Sequence, residues 1–166
     1  MSFARLRREF LDARESREVL VQAALKRAPA TVIMVSTAIP GPRKELPGGE
    51  RLFRWALAEL AERLAEISLL ARIQDALGPY VLFATFEPAE VVKAMCVVIE
   101  DSRPAARLLD LDVYPAPGRR LGRAELGLPP RPCLLCSESA VACMRLNRHP
   151  QQDLIRHVEN LLAANG

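Results

Sequence analysis

The segment LLDLDVY, residues 108–114, carries two carboxylates, Asp110 and Asp112, separated by one residue. In an extended strand successive side chains alternate faces, with a rise of about 3.3 Å per residue. Asp110, Asp112 and Tyr114 therefore share one face, and Leu109, Leu111 and Val113 share the other. The two acids stand roughly 6.6 Å apart along the backbone, close enough for their side chains to share one divalent ion. Aspartate is depleted in strands, and like charges on one face repel, so a cation belongs beside them. Mg²⁺ suits this place, because it takes one or two carboxylates and leaves its other positions to water and substrate phosphate. The plain alternative is an edge strand whose polar face is solvated. Arg103, Arg107, Arg119 and Arg120 flank the pair. Guanidinium groups around a metal-holding carboxylate pair match a substrate with several phosphates, where charge develops during group transfer.

A second cluster follows. Cys133-Leu-Leu-Cys136, Cys143 and His149 read as C-x2-C-x6-C-x5-H. Two cysteines two residues apart can chelate one ion from a tight turn, and three thiolates with one imidazole fit tetrahedral Zn²⁺. Four protein ligands would leave no open position, so such a site is structural. The alternative is three small buried apolar residues and a surface histidine. A redox reading of the C-x-x-C pair is weaker, since it follows a Pro-rich loop and no βαβ pattern. Cys96 lies alone in an apolar run and reads as core.

The elements that must position these groups are legible in outline. Residues 2–27 have a helical pattern, expected in two pieces around Asp12, and TVIMVSTAI, residues 31–39, reads as a strand running into Pro40-Gly41-Pro42. Phe53, Leu57, Leu60, Leu64, Ile67 and Ala71 recur at spacings of three and four, which predicts one helix over residues 50–73. Strands are expected at residues 80–86, 94–100 and 108–114, with a short helix opening at Pro88. Ser137 is a candidate N-cap for a helix over 137–146, and a last helix begins near Pro150. Helices mixed irregularly with strands predict an α+β fold: a small mixed sheet of four to five strands with helices packed on it.

At 166 residues the chain suits one domain, 1–166, with residues 128–150 as its Cys/His-bearing subregion. Half of the residues are hydrophobic and 26% are charged, which excludes extended disorder, and four cysteines exclude a disulfide-dense scaffold. No apolar run reaches the ~18 residues of a membrane span, and the first residues lack the apolar core of a signal peptide, so the cytoplasm is the expected compartment. Twenty-three basic against twenty acidic residues leave a net charge of +3, too weak a bias to demand nucleic acid. A zinc-binding nucleic-acid adaptor would also want aromatic groups for stacking, and aromatics are only 5% of the chain.

Taken together, Arg107-Leu-Leu-Asp110-Leu-Asp112-Val113 and the later LPPRPCLLCSESAVACMRLNRH resemble the CitX family of apo-citrate lyase phosphoribosyl-dephospho-CoA transferases. The family pattern is approximately G-R-L-[WF]-D-[IL]-D-V, then L-P-P-R-x-C-L-x-C, A-x-x-C-x-R and a histidine. IPGPRK, residues 39–44, is similar to its N-terminal motif. Two departures stand out. Arg103-Pro104-Ala105-Ala106 replaces a common His-Pro-Leu-Gly, and Leu109 replaces the aromatic before the first aspartate.

The resemblance implies transfer of a 2′-(5″-triphosphoribosyl)-3′-dephospho-CoA unit to a serine of the citrate lyase acyl-carrier subunit, with release of diphosphate. The malonate decarboxylase carrier is the alternative acceptor. On this reading the chemistry is nucleotidyltransferase-like. Asp110 and Asp112 hold Mg²⁺, Asp112 or Glu100 takes the serine proton, and Arg43, Lys44, Arg103, Arg107, Arg119 and Arg120 face the donor. The Gly-Ser that commonly precedes the aspartates in nucleotidyltransferases is missing.

Overall fold

The run TVIMVS that opens β1 (Thr31–Thr37) is buried throughout, because both faces of this strand are covered. β1 is central in the computed structural model, which describes residues 3–27, 31–116 and 118–164. It pairs with β3 (Gly78–Thr85) on one side and β4 (Leu109–Tyr114) on the other, and β2 (Ser68–Asp75) adds beyond β3. The sheet order is β2-β3-β1-β4, and every pairing is antiparallel. The α+β class is as expected from sequence, with a wholly antiparallel sheet in place of a mixed one.

Alternation along β1 divides the core. Ile33 and Val35 join Leu111 and Val113 in a cluster with α2 (Gly49–Arg63), α3 (Ala89–Asp101) and α5 (Gln151–Ala163). Val32 and Met34 face the other way, with Tyr80, Leu82 and Tyr114, and meet Val21 of α1 (Phe3–Arg27). α1 is one continuous helix and not two pieces, since no Pro or Gly interrupts it and Asp12 points to solvent. Ala13, Arg17 and Val21, four residues apart, are its inward face. Arg17 forks onto both carboxylate oxygens of Asp75 at 2.7 and 2.8 Å and stacks 4.3 Å above the Tyr80 ring. This joins α1 to the β2–β3 hairpin.

Two element boundaries differ from the sequence expectation. The helix expected over residues 50–73 ends at Arg63, Leu64 is already extended, and residues 68–75 are β2. Ala71 and Ile73 satisfy a period of two as well as Ala71 satisfies the helical one, and backbone pairing with β3 decides between them. The segment 94–100, expected as a strand, lies inside helix α3. Short apolar runs fit either structure, and the buried set Val92, Cys96 and Ile99 follows helical spacing. Gly48, left-handed at φ +84°, begins α2 where a Cβ would lie 2.9 Å from the Leu162 carbonyl oxygen, so α5 crosses there at a distance only glycine permits.

Candidate active site and candidate metal centre

β4 is an edge strand, yet its outer edge is occupied. The register sets Asp110 opposite Ser36 and Asp112 opposite Met34, so both acids lie on the α1 side of the sheet, as alternation requires. Between them Leu111 turns its backbone outward. Its N–H donates to Glu100 Oε1 at 2.8 Å, and its carbonyl accepts from Lys93 Nζ at 2.9 Å. Both side chains come from α3, and both are buried. Two residues away, the Leu109 carbonyl accepts from Arg131 at 3.0 Å, and at the far end Val113 takes the N–H of Leu121 at 2.8 Å. Side chains thus replace a missing strand along this edge.

The charges around the pair interlock. Arg120 donates to both oxygens of Asp112, at 3.0 and 3.2 Å, from a side chain that is 57% exposed. Burial, then the neighbouring Asp110 charge, push the Asp112 carboxyl up to about 6 against the pull of Arg120. Burial also raises Tyr114, with the Asp112 charge adding to it. Arg131 pairs with Glu100 Oε1 at 2.5 Å and reaches to 4.0 Å from Asp110. Glu100 Oε2 is buried without a hydrogen-bond partner. Glu100 is therefore enclosed between α3, β4 and Arg131. Sequence reasoning passed over both Arg131 and Lys93. Arg131 stands two residues before Cys133, and Lys93 and Glu100, seven apart, share one helical face.

The remaining basic candidates are spread wider. Arg107 donates to the carbonyls of Pro132 and Cys133, at 2.6 and 2.9 Å. Arg103 lies 3.5 Å over the Trp55 ring with its Nε buried and unpaired. Arg119 is exposed beside Arg120. Arg43 and Lys44 line a cavity of 350 Å³ with Gln74 and Asp75, and Lys44 also lines one of 630 Å³ with Thr37, Phe53 and Arg72. Neither Asp110 nor Asp112 lines these cavities. Lys44 Nζ donates to the Ile39 carbonyl at 2.7 Å, and burial, then the Arg14 charge, lower its pKa.

The cysteines gather as their spacing implies. One ligand atom each from Cys133, Cys136, Cys143 and His149 lies within 4.8 Å of all the others. Cys136 Sγ is 3.5 Å from Cys143 Sγ and 3.3 Å from His149 Nε2. Sulfur atoms around tetrahedral Zn²⁺ stand roughly 3.8 Å apart, so this donor set fits the ion. Local structure brings the four together. A small hairpin is closed by Cys133 N–H on the Glu138 carbonyl and Ala140 N–H on the Arg131 carbonyl. The helix α4 (Ala140–Arg145) then carries Cys143, and left-handed Asn147 (φ 44°) ends it and turns His149 back. Its N-cap is Ser139, which accepts from Ala142 N–H at 3.1 Å, and not Ser137. Burial opposes ionisation of Cys133, but the amides of Leu135 and Cys136 and the neighbouring thiols outweigh it and lower its pKa. Cys96 is fully buried in α3, and burial pushes its thiol up to about 12.

The family described as CitX: Apo-citrate lyase phosphoribosyl-dephospho-CoA transferase matches residues 6–165. Proteins named apo-citrate lyase phosphoribosyl-dephospho-CoA transferase from Escherichia coli O1:K1 / APEC and Escherichia coli (strain ATCC 8739) are similar to the chain. They are 35% and 34% identical to it over 158 residues, spanning 93% of this chain and 86% of each relative.

Proposed function

The chain belongs to the CitX family of apo-citrate lyase phosphoribosyl-dephospho-CoA transferases, and we propose that it attaches the prosthetic-group precursor to citrate lyase. The donor is a triphosphoribosyl-dephospho-CoA, the acceptor is a serine of the acyl-carrier subunit, and diphosphate leaves. The observation that carries this reading is the acid pair on one face of β4 beside the exposed Arg120, in a chain matched to the family over residues 6–165.

Asp110 and Asp112 fit a divalent cation. They share a face, and their mutual repulsion together with burial leaves Asp112 reluctant to ionise, which a nearby cation reverses. Bound there, Mg²⁺ supplies positive charge against the phosphates of the donor. Arg120 holds Asp112 from a solvent-exposed position, so its guanidinium can turn outward to a phosphate. Arg119 adds a second fork from the same turn. The carboxylate of Asp112 is the better base for the serine proton, because its partner Arg120 is exposed and can swing away, whereas Glu100 is fully buried and held by Leu111 and Arg131. Arg103 and Arg107 act as packing and loop-holding groups in this reading, while Arg43 and Lys44 serve a more distant part of the donor.

Cys133, Cys136, Cys143 and His149 form a closed Zn²⁺ site that stabilises residues 128–150 as part of a single transferase domain 1–166. Among the described residues no helix is long and apolar enough to cross a membrane, and the four cysteines are free. Free thiols suit the reducing cytoplasm in which we place the reaction. The experiment is isotope transfer from labelled donor to purified citrate lyase carrier, with the malonate decarboxylase carrier in parallel. Label on the first supports the proposal, label on the second alone changes the acceptor, and label on neither removes the function.

A further inference from the structure

Arg131 has two anchorages. Its guanidinium bonds the Leu109 carbonyl and pairs with Glu100, whose other contact is the Leu111 N–H, so one charge pair grips β4 on either side of Asp110. Its backbone carbonyl accepts from Ala140 N–H at 2.9 Å, and Pro132 bridges Ser139, so the residue sits at the base of the hairpin that carries Cys133 and Cys136. Arg107 adds a tie from the other direction by donating to the Pro132 and Cys133 carbonyls. Apolar contact holding this hairpin at β4 is slight, with Leu134 packing half-buried against the core. Pro132 is exposed, and of its neighbours only Cys133 and Cys143 are buried. Three thiols and an imidazole make a poor core on their own, and they make a rigid one around an ion.

We infer that metal binding at Cys133, Cys136, Cys143 and His149 sets the position of Arg131, and through Arg131 and Glu100 the position of the acid-bearing strand. The inference rests on the reading of the cluster as a Zn²⁺ site and adds a positioning role to it. With the ion in place the hairpin base is fixed and Arg131 neutralises Glu100. Without it the hairpin loosens, Arg131 withdraws, and a buried carboxylate is left with Lys93 as the nearest cation contributed by its own helix. A buried charge that loses its partner is costly, so the Leu111–Glu100 bond opens more often.

The Leu111 amide reports this directly, because its hydrogen bond goes to Glu100 and not to a neighbouring strand. Zinc content by elemental analysis and exchange of that amide by NMR are measured on the full chain. The wild-type protein is expected to hold about one zinc per chain. Cys136→Ser is expected to lose the zinc and to accelerate Leu111 exchange by about tenfold or more. Arg131→Gln is expected to accelerate the same amide with its zinc retained. Should Cys136→Ser fail to fold, a chelator titration of the wild-type protein gives the same reading, and restored protection on adding Zn²⁺ supports it. Zinc loss with Leu111 exchange unchanged overturns the positioning role and leaves the zinc site standing. A wild-type protein without zinc, or with iron in its place, overturns the zinc site itself.

Discussion

Lys93 and Glu100, seven residues apart on α3, hold the carbonyl and the amide of one residue, Leu111. The two acids that flank Leu111 are thus fixed from behind by a helix that offers β4 both kinds of hydrogen-bonding partner. Removing either partner leaves a buried backbone group unsatisfied, which costs about 1–3 kcal/mol. Lys93→Met is expected to lose that much in urea unfolding. Glu100→Leu is expected to lose more, about 3–5 kcal/mol, because it also strips Arg131 of its carboxylate. Equal and negligible losses for both would show that the edge is satisfied in another way.

The acid pair carries the proposed chemistry. Asp110→Asn and Asp112→Asn keep the size of each side chain and remove the charge that binds a cation. Each is expected to lower metal-dependent diphosphate release by about 100-fold or more in a protein whose circular dichroism is unchanged. Rates near wild type in both variants would end the metal role of these residues.

Burial of Asp112 sets the sign of a pH effect on the metal-free protein. Its carboxyl titrates at about 6 when folded and near 3.8 when unfolded. The folded state therefore binds the proton more tightly, and the stability this contributes is complete below pH 3.8 and lost as pH rises through about 6. Asp112→Asn removes the dependence. The wild-type chain is expected to lose about 3 kcal/mol relative to Asp112→Asn between pH 4 and pH 8, measured by urea midpoints at each pH. A difference that is flat or of opposite sign would mean that Arg120 dominates and the carboxylate is ionised throughout.

The parts of the fold legible in the sequence are those where local pattern and tertiary demand agree. The alternation in LLDLDVY gave the face of both acids, and the short spacing between Cys133 and Cys136 pointed to the Cys/His cluster that the fold gathers. The pattern misleads where two periods fit one segment. Ile67 and Ala71 continue the helical spacing of α2, and only pairing with β3 reveals a strand. The run around Cys96 is apolar enough for a strand, and its helical nature shows in the charged Lys93 and Glu100, two turns apart on one face. Arg131 is the arginine of the L-P-P-R-x-C motif, but its role was not legible, since its partners lie 22 residues away at Leu109 and 31 away at Glu100, and arginine is abundant in this chain. Likewise Arg103 and Arg107 look like phosphate ligands in the sequence, and in the structure one stacks on Trp55 and the other binds carbonyls.

Arg120 separates two effects that usually travel together. In the resting protein it is the cation beside Asp112, and a divalent ion must compete with it for the same oxygens. Arg120→Gln removes that competitor, so Mn²⁺ used as a probe is expected to bind several-fold more tightly in calorimetry. The same change removes a guanidinium available to the donor phosphates, so KM for the donor is expected to rise by about tenfold. Stability should move by less than about 1 kcal/mol, since the Arg120 side chain is more than half exposed. Weaker Mn²⁺ binding together with an unchanged KM would assign Arg120 to holding the strand in place and would leave the donor phosphates to other arginines.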